Sequence, residues 1–505
     1  MKPKDLIVLF QPCLGLYDAI ARNIPVGLLS LARMLVKDFE VVIIDQRLPG
    51  WSEKLYACME KNPLCFGVTA QTGEQIINAI EISQWVKRNS KTIVVWGGIH
   101  PTLMPEQTIQ NEYIDIVLSG EGETSFSELA GCLSSGGNLA EIRGILFKEN
   151  GITRKTPPRS GTEDLDALPY IPYELIDFSM YSGHAVQNFA KNIFYIETGR
   201  GCPYRCDFCY HSGLGNKPRR ALSAEGIVSA IKHMKSYTPL DGVTFIDDCF
   251  LIDKKRTFEF TRLLRENKLP LIWNCEANVS DVLGMTDTEL KELEASGLTW
   301  LALGVESGSE KVLRNHGKNL KKDDILAVNS KLSRYAFSVR YNFMCGYIEE
   351  NNDDLRETTR LIMELLRHNQ NASIRGFTAC VPFPKTGHFA KAIQHGLREP
   401  KRLEEWGMFS SDEWGKRIPW MTGRQRRLRR LLYFASFFID KKAQINTSHN
   451  LIGRLMRIIA YLYRPLAFFR FSSHSVFLPV ELWVFSCYRK LLAKRRISGK
   501  LKETL

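Results

Sequence analysis

Short apolar runs alternate with amphipathic stretches through most of the chain. In the first 150 residues the runs are LIVLF (6–10), VVIID (41–45), LCFGVTA (64–70), TIVVWGG (92–98) and IDIVL (114–118). Between them, PVGLLSLARMLVKD (25–38), residues 74–88 and SFSELAGCL (125–133) carry helical periodicity. Brief apolar runs of this kind read as strands buried on both faces, and strand and helix in turn imply right-handed crossovers. The pattern therefore predicts a doubly wound, mostly parallel sheet over residues 1–150, with ligand-binding loops at the strand C-termini.

Prolines and turn formers in TPPRSG and LPYIPYEL interrupt the alternation, and residues 151–190 read as a linker. Alternation resumes with NIFYIET (192–198), GVTFIDD (242–248), LIWNCEA (271–277), WLALGVES (300–307), FSVRYNFMCG (337–346) and SIRGFTACV (373–381), separated by helical segments. Six strand–helix units predict a partial (β/α)6 barrel over 191–400, with its chemistry on the loops that follow the strands. Residues 401–505 read as a helical C-terminal region.

Composition narrows the class. With 44% hydrophobic and 24% charged residues the chain is ordinary globular protein, which excludes disorder and collagen-like repeats. The N-terminus MKPKDLIVLF lacks the organisation of a signal peptide, and the cysteines are scattered except for one trio, so a reducing cytoplasm is expected. The net charge of +13 is concentrated at one end: residues 421–505 hold 18 Lys/Arg and 3 Asp/Glu, which leaves the rest of the chain near neutrality. No aromatic-plus-basic RNA-binding signature accompanies this charge, so no nucleic acid is expected. Arg464, Pro465, Pro479 and Glu481 interrupt the apolar runs of the same region before any reaches membrane-spanning length. Basic residues mixed with aromatics and leucines suit helices lying in a membrane interface; the alternative is a helical cap packed on the main body.

The chemistry centres on RGCPYRCDFCYH (200–211), directly after the first strand of the predicted barrel. Cys202, Cys206 and Cys209 can wrap one face of a four-iron four-sulfur cluster, leaving one iron open to an exogenous chelator. Zinc with His211 as a fourth ligand is the structural rival, made awkward by the closeness of His211 to Cys209. The stretch IETGRGCPYRCDFCY resembles the signature of the radical S-adenosylmethionine (SAM) enzymes. That resemblance implies a 4Fe-4S cluster on the three cysteines whose open iron chelates SAM, and reductive cleavage of SAM to methionine and a 5′-deoxyadenosyl radical. It also implies SAM contacts from Phe208 and from the acidic pair Asp247 and Asp248 in FIDDCF. Glu306 and Ser307 in LGVESGSEKVL and Arg340 in VRYNFMCG extend the set, Arg340 toward the SAM carboxylate. Each has a plainer role open to it: a core aromatic for Phe208, a helix cap for the aspartates. PFPKTGHFAKAIQHG (382–396) resembles the segment that closes the barrel in many relatives.

Upstream, VVWGGIHPTLMPEQTIQNEYIDIVLSGEGETSFSEL (94–129) is similar to the cobalamin-binding domain that precedes the barrel in one large subfamily. The implied cobalamin contacts are Gly97, Gly98, His100, Thr102, Gly120, Glu121, Gly122 and Glu123, where glycines after a strand admit a large planar ring. No DxHxxG motif is present, so cobalt is expected to lack a protein imidazole beneath it, with His100 bonding backbone or a cofactor amide instead.

Together these resemblances imply a Rossmann-like cobalamin-binding domain, a radical SAM barrel and a basic helical C-terminal region. The implied activity is methylation of an unactivated carbon, drawing electrons from a donor such as flavodoxin or ferredoxin. Alternatives are radical-mediated cyclisation or rearrangement without methyl transfer, and a non-catalytic iron–sulfur or cobalamin sensor. The substrate is left open as a small molecule or a lipid, with peripheral membrane contact through residues 421–505.

Overall fold

The computed structural model describes residues 4–15, 22–162, 164–181, 192–215, 218–440 and 451–484. Two sheets organise it. The first has seven strands: β1 (Leu6–Gln11), β2 (Glu40–Asp45), β3 (Cys65–Thr69), β4 (Ile93–Gly97), β5 (Ile116–Leu118), β6 (Ile145–Glu149) and β7 (Ile152–Lys155). Their order is β2-β1-β3-β4-β5-β6-β7, parallel through β5, with β6 and β7 added antiparallel. Strand order reverses between β1 and β3, and such a switch point opens a crevice at the strand C-termini. Every residue of LIVLF in β1 is buried, as expected of a central strand covered by helices on both faces.

Two details depart from the sequence pattern. The helix expected over 25–38 runs only from Val26 to Ala32 before breaking into turns. The hairpin β6–β7 also carries the sheet into the segment read as linker, as far as Lys155. Residues 182–191, within and just after that segment, lie outside the described residues.

The second sheet is the barrel. After β8 (Ile193–Ile196), a small two-stranded ribbon pairs β9 (Gly199–Arg200) with β10 (Arg220–Ala221). The sheet then continues with β11 (Gly242–Phe245), β12 (Ile272–Asn278), β13 (Leu298–Glu306), β14 (Ser338–Cys345) and β15 (Ala372–Ala379), all parallel in the order β8-β11-β12-β13-β14-β15. Alternation along each strand decides what faces inward. Val339, Tyr341, Phe343 and Cys345 of β14 join the core beneath the outer helices, which leaves Ser338, Arg340, Asn342 and Met344 on the inner side. Side-chain caps fix where the outer helices start: Thr286 with Glu289 and Asn351 with Asp354 form reciprocal capping boxes.

The C-terminal region covers the barrel's last edge. Leu428, Leu432, Ala435 and Phe438 of the helix Gly423–Ser436 and its end merge into the barrel core, as do Ala460, Ala467 and Phe471 of the helix Leu451–Ser473. A covered edge strand cannot template pairing with another chain. No helix among the described residues is long and apolar enough to cross a membrane.

Candidate functional site

The two sheets point their C-terminal ends at each other across an apolar cavity of about 420 Å³. One wall is glycine-rich: Gly67, Gly97, Gly98, Gly120 and Gly122, with Leu31, Thr69, Thr102 and Phe126 between them. The glycines are required by geometry at Gly98, where φ is +100° and a Cβ would lie 2.8 Å from the Ala70 carbonyl oxygen. Thr102 fastens the neighbouring loop, its hydroxyl donating to Gly98 O (2.8 Å) and accepting from Gly120 N (3.0 Å). A wall this rich in glycine leaves room for the close approach of a broad planar macrocycle.

The opposite wall comes from the barrel: Gly199, Arg200, Gly201, Tyr210, His211, Leu214, Ile246 and Asp248. Tyr210 and His211 directly follow Cys209, so the cysteine loop itself closes this side of the cavity. Cys202, Cys206 and Cys209 are all half-buried free thiols, and Cys209 N donates to Cys206 O at 3.1 Å to curl the loop. The loop is tied down through Asp207: one carboxylate oxygen meets His316 Nδ1 at 2.7 Å, the other accepts from Lys391 Nζ at 2.8 Å. Three free thiols within eight residues of one loop have the donor chemistry of a three-cysteine iron–sulfur site.

The structure divides the acidic pair after β11. Asp248 faces the cavity, accepting from Tyr210 Oη at 3.0 Å and lying 2.8 Å from His211 Nε2, a close contact that is not aligned as a hydrogen bond. Asp247, expected beside SAM, is turned the other way and buried, where it accepts from Thr198 N and Oγ1 and pairs with Arg256 at 3.3 Å. In the turn that follows β11, Ile246 and Asp248 reach the cavity and Asp247 between them does not.

Three further assigned residues have contacts within the protein. Ser307 is fully buried, its hydroxyl in contact with Thr358 Oγ1 (3.1 Å) and accepting from Ser309 N, so it organises the start of the next helix instead of facing the barrel mouth. Arg340 pairs in register with Ala302, four residues before Glu306, and its guanidinium lies 4.2 Å over the Trp300 ring. His100 is absent from the cavity wall: its Nδ1 meets Thr72 Oγ1 at 2.9 Å, its ring packs on Trp406, and burial pushes its pKa down to about 3. The lining imidazole among the described residues is instead His211, from the barrel side.

The remaining assigned residues stand near the site. Glu306 adopts a left-handed backbone (φ +72°) and pairs with Lys318 at 3.1 Å, close to Cys206. Phe208 packs edge-on against Tyr347 (5.9 Å) and His316 (6.5 Å). Glu121 and Glu123 line the cavity but are bound to the barrel: Glu121 pairs with Arg200 and Arg220, Glu123 with Arg200 and Ser30. Both carboxyls are held below their ordinary values because these arginines and hydrogen bonds outweigh the cost of burial.

Sequence reasoning missed Arg200, Arg220, Tyr210, Lys318 and Cys249. Arg200 and Tyr210 flank the cysteine trio and were readable as neighbours. Nothing in the sequence signals that Lys318 or Cys249 meets the loop. Cys249 Sγ lies 3.9 Å from Cys202 Sγ, and this contact draws the Cys202 thiol well below its ordinary value against the opposing effect of burial.

Comparison with known proteins gives the same pairing of halves. The profile of the Radical SAM superfamily matches residues 196–362 and that of the B12 binding domain matches residues 21–130, together more than half of the chain. The chain belongs to the B12-binding-domain-containing radical SAM superfamily. Its cofactors are accordingly a 4Fe-4S cluster, SAM and cobalamin. This radical SAM protein is 28% identical over 381 residues to an uncharacterized methyltransferase of Pyrococcus horikoshii, covering 74% of this chain and 79% of the relative. Its fold is that of the cobalamin-dependent SAM radical enzyme OxsB (TM-score 0.69, 16% identity, 93% of this chain and 72% of that one). It is likewise that of the radical SAM methyltransferase TsrM from Kitasatospora setae (TM-score 0.62, 19% identity, 79% and 76% covered).

Proposed function

We propose that this methyltransferase-like enzyme transfers a methyl group to an unactivated carbon of its substrate. The observation that carries the reading is the single cavity whose two walls are the glycine face of the first sheet and the cysteine loop of the barrel. When bound, the cluster and SAM supply a carbon-centred radical for hydrogen abstraction and cobalamin supplies the methyl group, with electrons from a flavodoxin- or ferredoxin-like donor.

The chain's own residues hold these reactants in line. Cys202, Cys206 and Cys209 would ligate the iron, and the Asp207 clamp fixes their loop against the barrel. Asp248, Glu306 and Phe208 would contact SAM, and Gly97, Gly98, Thr102, Gly120 and Gly122 would seat the macrocycle. Leu31, Phe126, Leu214 and Ile246 give the intervening space apolar walls that exclude water and other proton sources and offer a radical no thiol or similar weak hydrogen donor. Arg200, bonded to Glu121, Glu123 and Glu197 at once, keeps the two walls at a fixed separation.

The substrate reading favours a lipid or membrane-associated compound. Its support is the apolar surface left exposed by the C-terminal region, where Tyr461, Leu462, Phe477 and Trp483 are each 70–77% exposed. Exposed apolar residues in a basic region suit the interface of an anionic bilayer.

The test is anaerobic. Protein reconstituted with iron, sulfide and cobalamin is reduced and given SAM, and 5′-deoxyadenosine and methionine are quantified beside a Cys206→Ala variant. Cysteine-dependent cleavage with retained cobalamin is expected; cleavage that persists in Cys206→Ala would overturn the site assignment.

A further inference from the structure

Cys249 is a fourth cysteine at the iron–sulfur loop, and nothing in the proposed chemistry uses it. It follows the acidic pair after β11, is 2% exposed, and has two polar neighbours in line. On one side its Sγ lies 3.9 Å from Cys202 Sγ. On the other, Asn278 Nδ2 donates to the same Sγ at 3.0 Å. Asn278 is the last residue of β12 and caps the helix Val279–Leu283 in a reciprocal box with Asp281, so its amide is held in place. Asp281 in turn accepts from Tyr204 Oη, inside the cysteine loop, at 2.8 Å. Loop, strand end and Cys249 are thus fastened together.

The direction of the sulfur–sulfur contact follows from chemistry. A thiol carries one hydrogen. Once Cys202 binds iron its sulfur is a thiolate, which accepts hydrogen bonds and has none to give. Cys249 must then be the donor. The Asn278 N–H occupies a lone pair of Cys249, which leaves the S–H free to point at Cys202.

We propose that Cys249 donates an S–H···S hydrogen bond to the iron-bound sulfur of Cys202 and thereby raises the reduction potential of the cluster. The inference rests on the assignment of Cys202 as an iron ligand. Reduction adds negative charge that is shared by the ligand sulfurs, and a donor aimed at one of them stabilises the reduced form more than the oxidised form. Cys249 is accordingly a positioning and tuning residue, making the electron that cleaves SAM easier to place.

The test uses full-length protein reconstituted anaerobically with iron and sulfide, comparing wild type with Cys249→Ala, Cys249→Ser and Asn278→Ala. Iron and acid-labile sulfide per chain are measured first, then the midpoint potential by redox titration followed by electron paramagnetic resonance. Cys249→Ala is expected to hold the cluster with a midpoint shifted to more negative values. Cys249→Ser, which keeps a donor, should lie between the two, and Asn278→Ala should shift in the same direction as alanine at 249. An unchanged midpoint in Cys249→Ala at wild-type iron content overturns the proposal. If that variant loses iron, Asn278→Ala carries the comparison by the same criterion. Failure of the wild type to take up iron would count instead against the cluster assignment itself, which separates the two.

Discussion

Arg200 Nη2 lies 2.5 Å from Glu123 Oε1 across the boundary between the two sheets, with the side chains only 14% and 5% exposed. Glu121 and Glu197 converge on the same guanidinium at 3.0 and 2.8 Å. Removing one partner of a buried ion network leaves uncompensated charge, at a cost of about 3–5 kcal/mol. Arg200→Met should therefore lower stability by roughly that amount in denaturant unfolding. It should also reduce the cobalamin retained after gel filtration, because the cavity walls lose their spacer.

The two aspartates after β11 should separate stability from chemistry. Asp247→Asn leaves the buried Arg256 without its carboxylate and is expected to destabilise by a few kcal/mol. Asp248→Asn, on the cavity wall, should change stability by less than about 1 kcal/mol while lowering SAM affinity several-fold, as read by equilibrium binding. Equal loss of stability in both variants would contradict the division.

Gly98→Ala tests the macrocycle face. The added methyl meets the Ala70 carbonyl and Thr69 Oγ1 at 2.8–2.9 Å, in a backbone conformation that alanine resists. About 1–3 kcal/mol of strain is expected, with loss of the visible cobalamin absorbance from reconstituted protein. Iron content should be unaffected.

His100 gives a pH signature. Burial lowers its folded pKa to about 3, below the value near 6.5 of the unfolded chain, so it is neutral when folded. Its contribution is complete above pH 6.5 and is lost as the pH falls toward 3, by up to about 1.4 kcal/mol per unit. His100→Gln should flatten the dependence of unfolding free energy on pH across this window. His388, also pushed down to about 3 by burial, adds a second slope of the same sign.

Replacing Leu462 and Trp483 together by serine should abolish sedimentation with anionic liposomes and leave iron content intact. Undiminished binding would sink the interfacial reading.

How legible was this in the sequence? The strand pattern was plain, since buried parallel strands such as LIVLF are written as unbroken apolar runs, and the cysteine trio carries its spacing in a single loop. Side-chain direction was less readable. Asp247 and Asp248 are indistinguishable as letters, and the turn after β11 sends only the second to the cavity. His100 looked available in its HisProThr turn, yet Trp406, more than 300 residues later, covers it. Arg340 showed a charge inside a barrel strand but not its neighbour, the Trp300 ring 4.2 Å away. The contacts of Lys318 and Cys249 arise from tertiary approach alone.

The clamp on Asp207 has a consequence for the order of assembly. Lys391 and the backbone of His388, which donates to Asp207 O at 3.1 Å, belong to the last segment of the barrel, some 180 residues after the cysteines. A growing chain presents its three thiols long before the groups that fix their loop have been synthesised. The loop is therefore fixed only after the last strand–helix segment of the barrel has been made and packed against it.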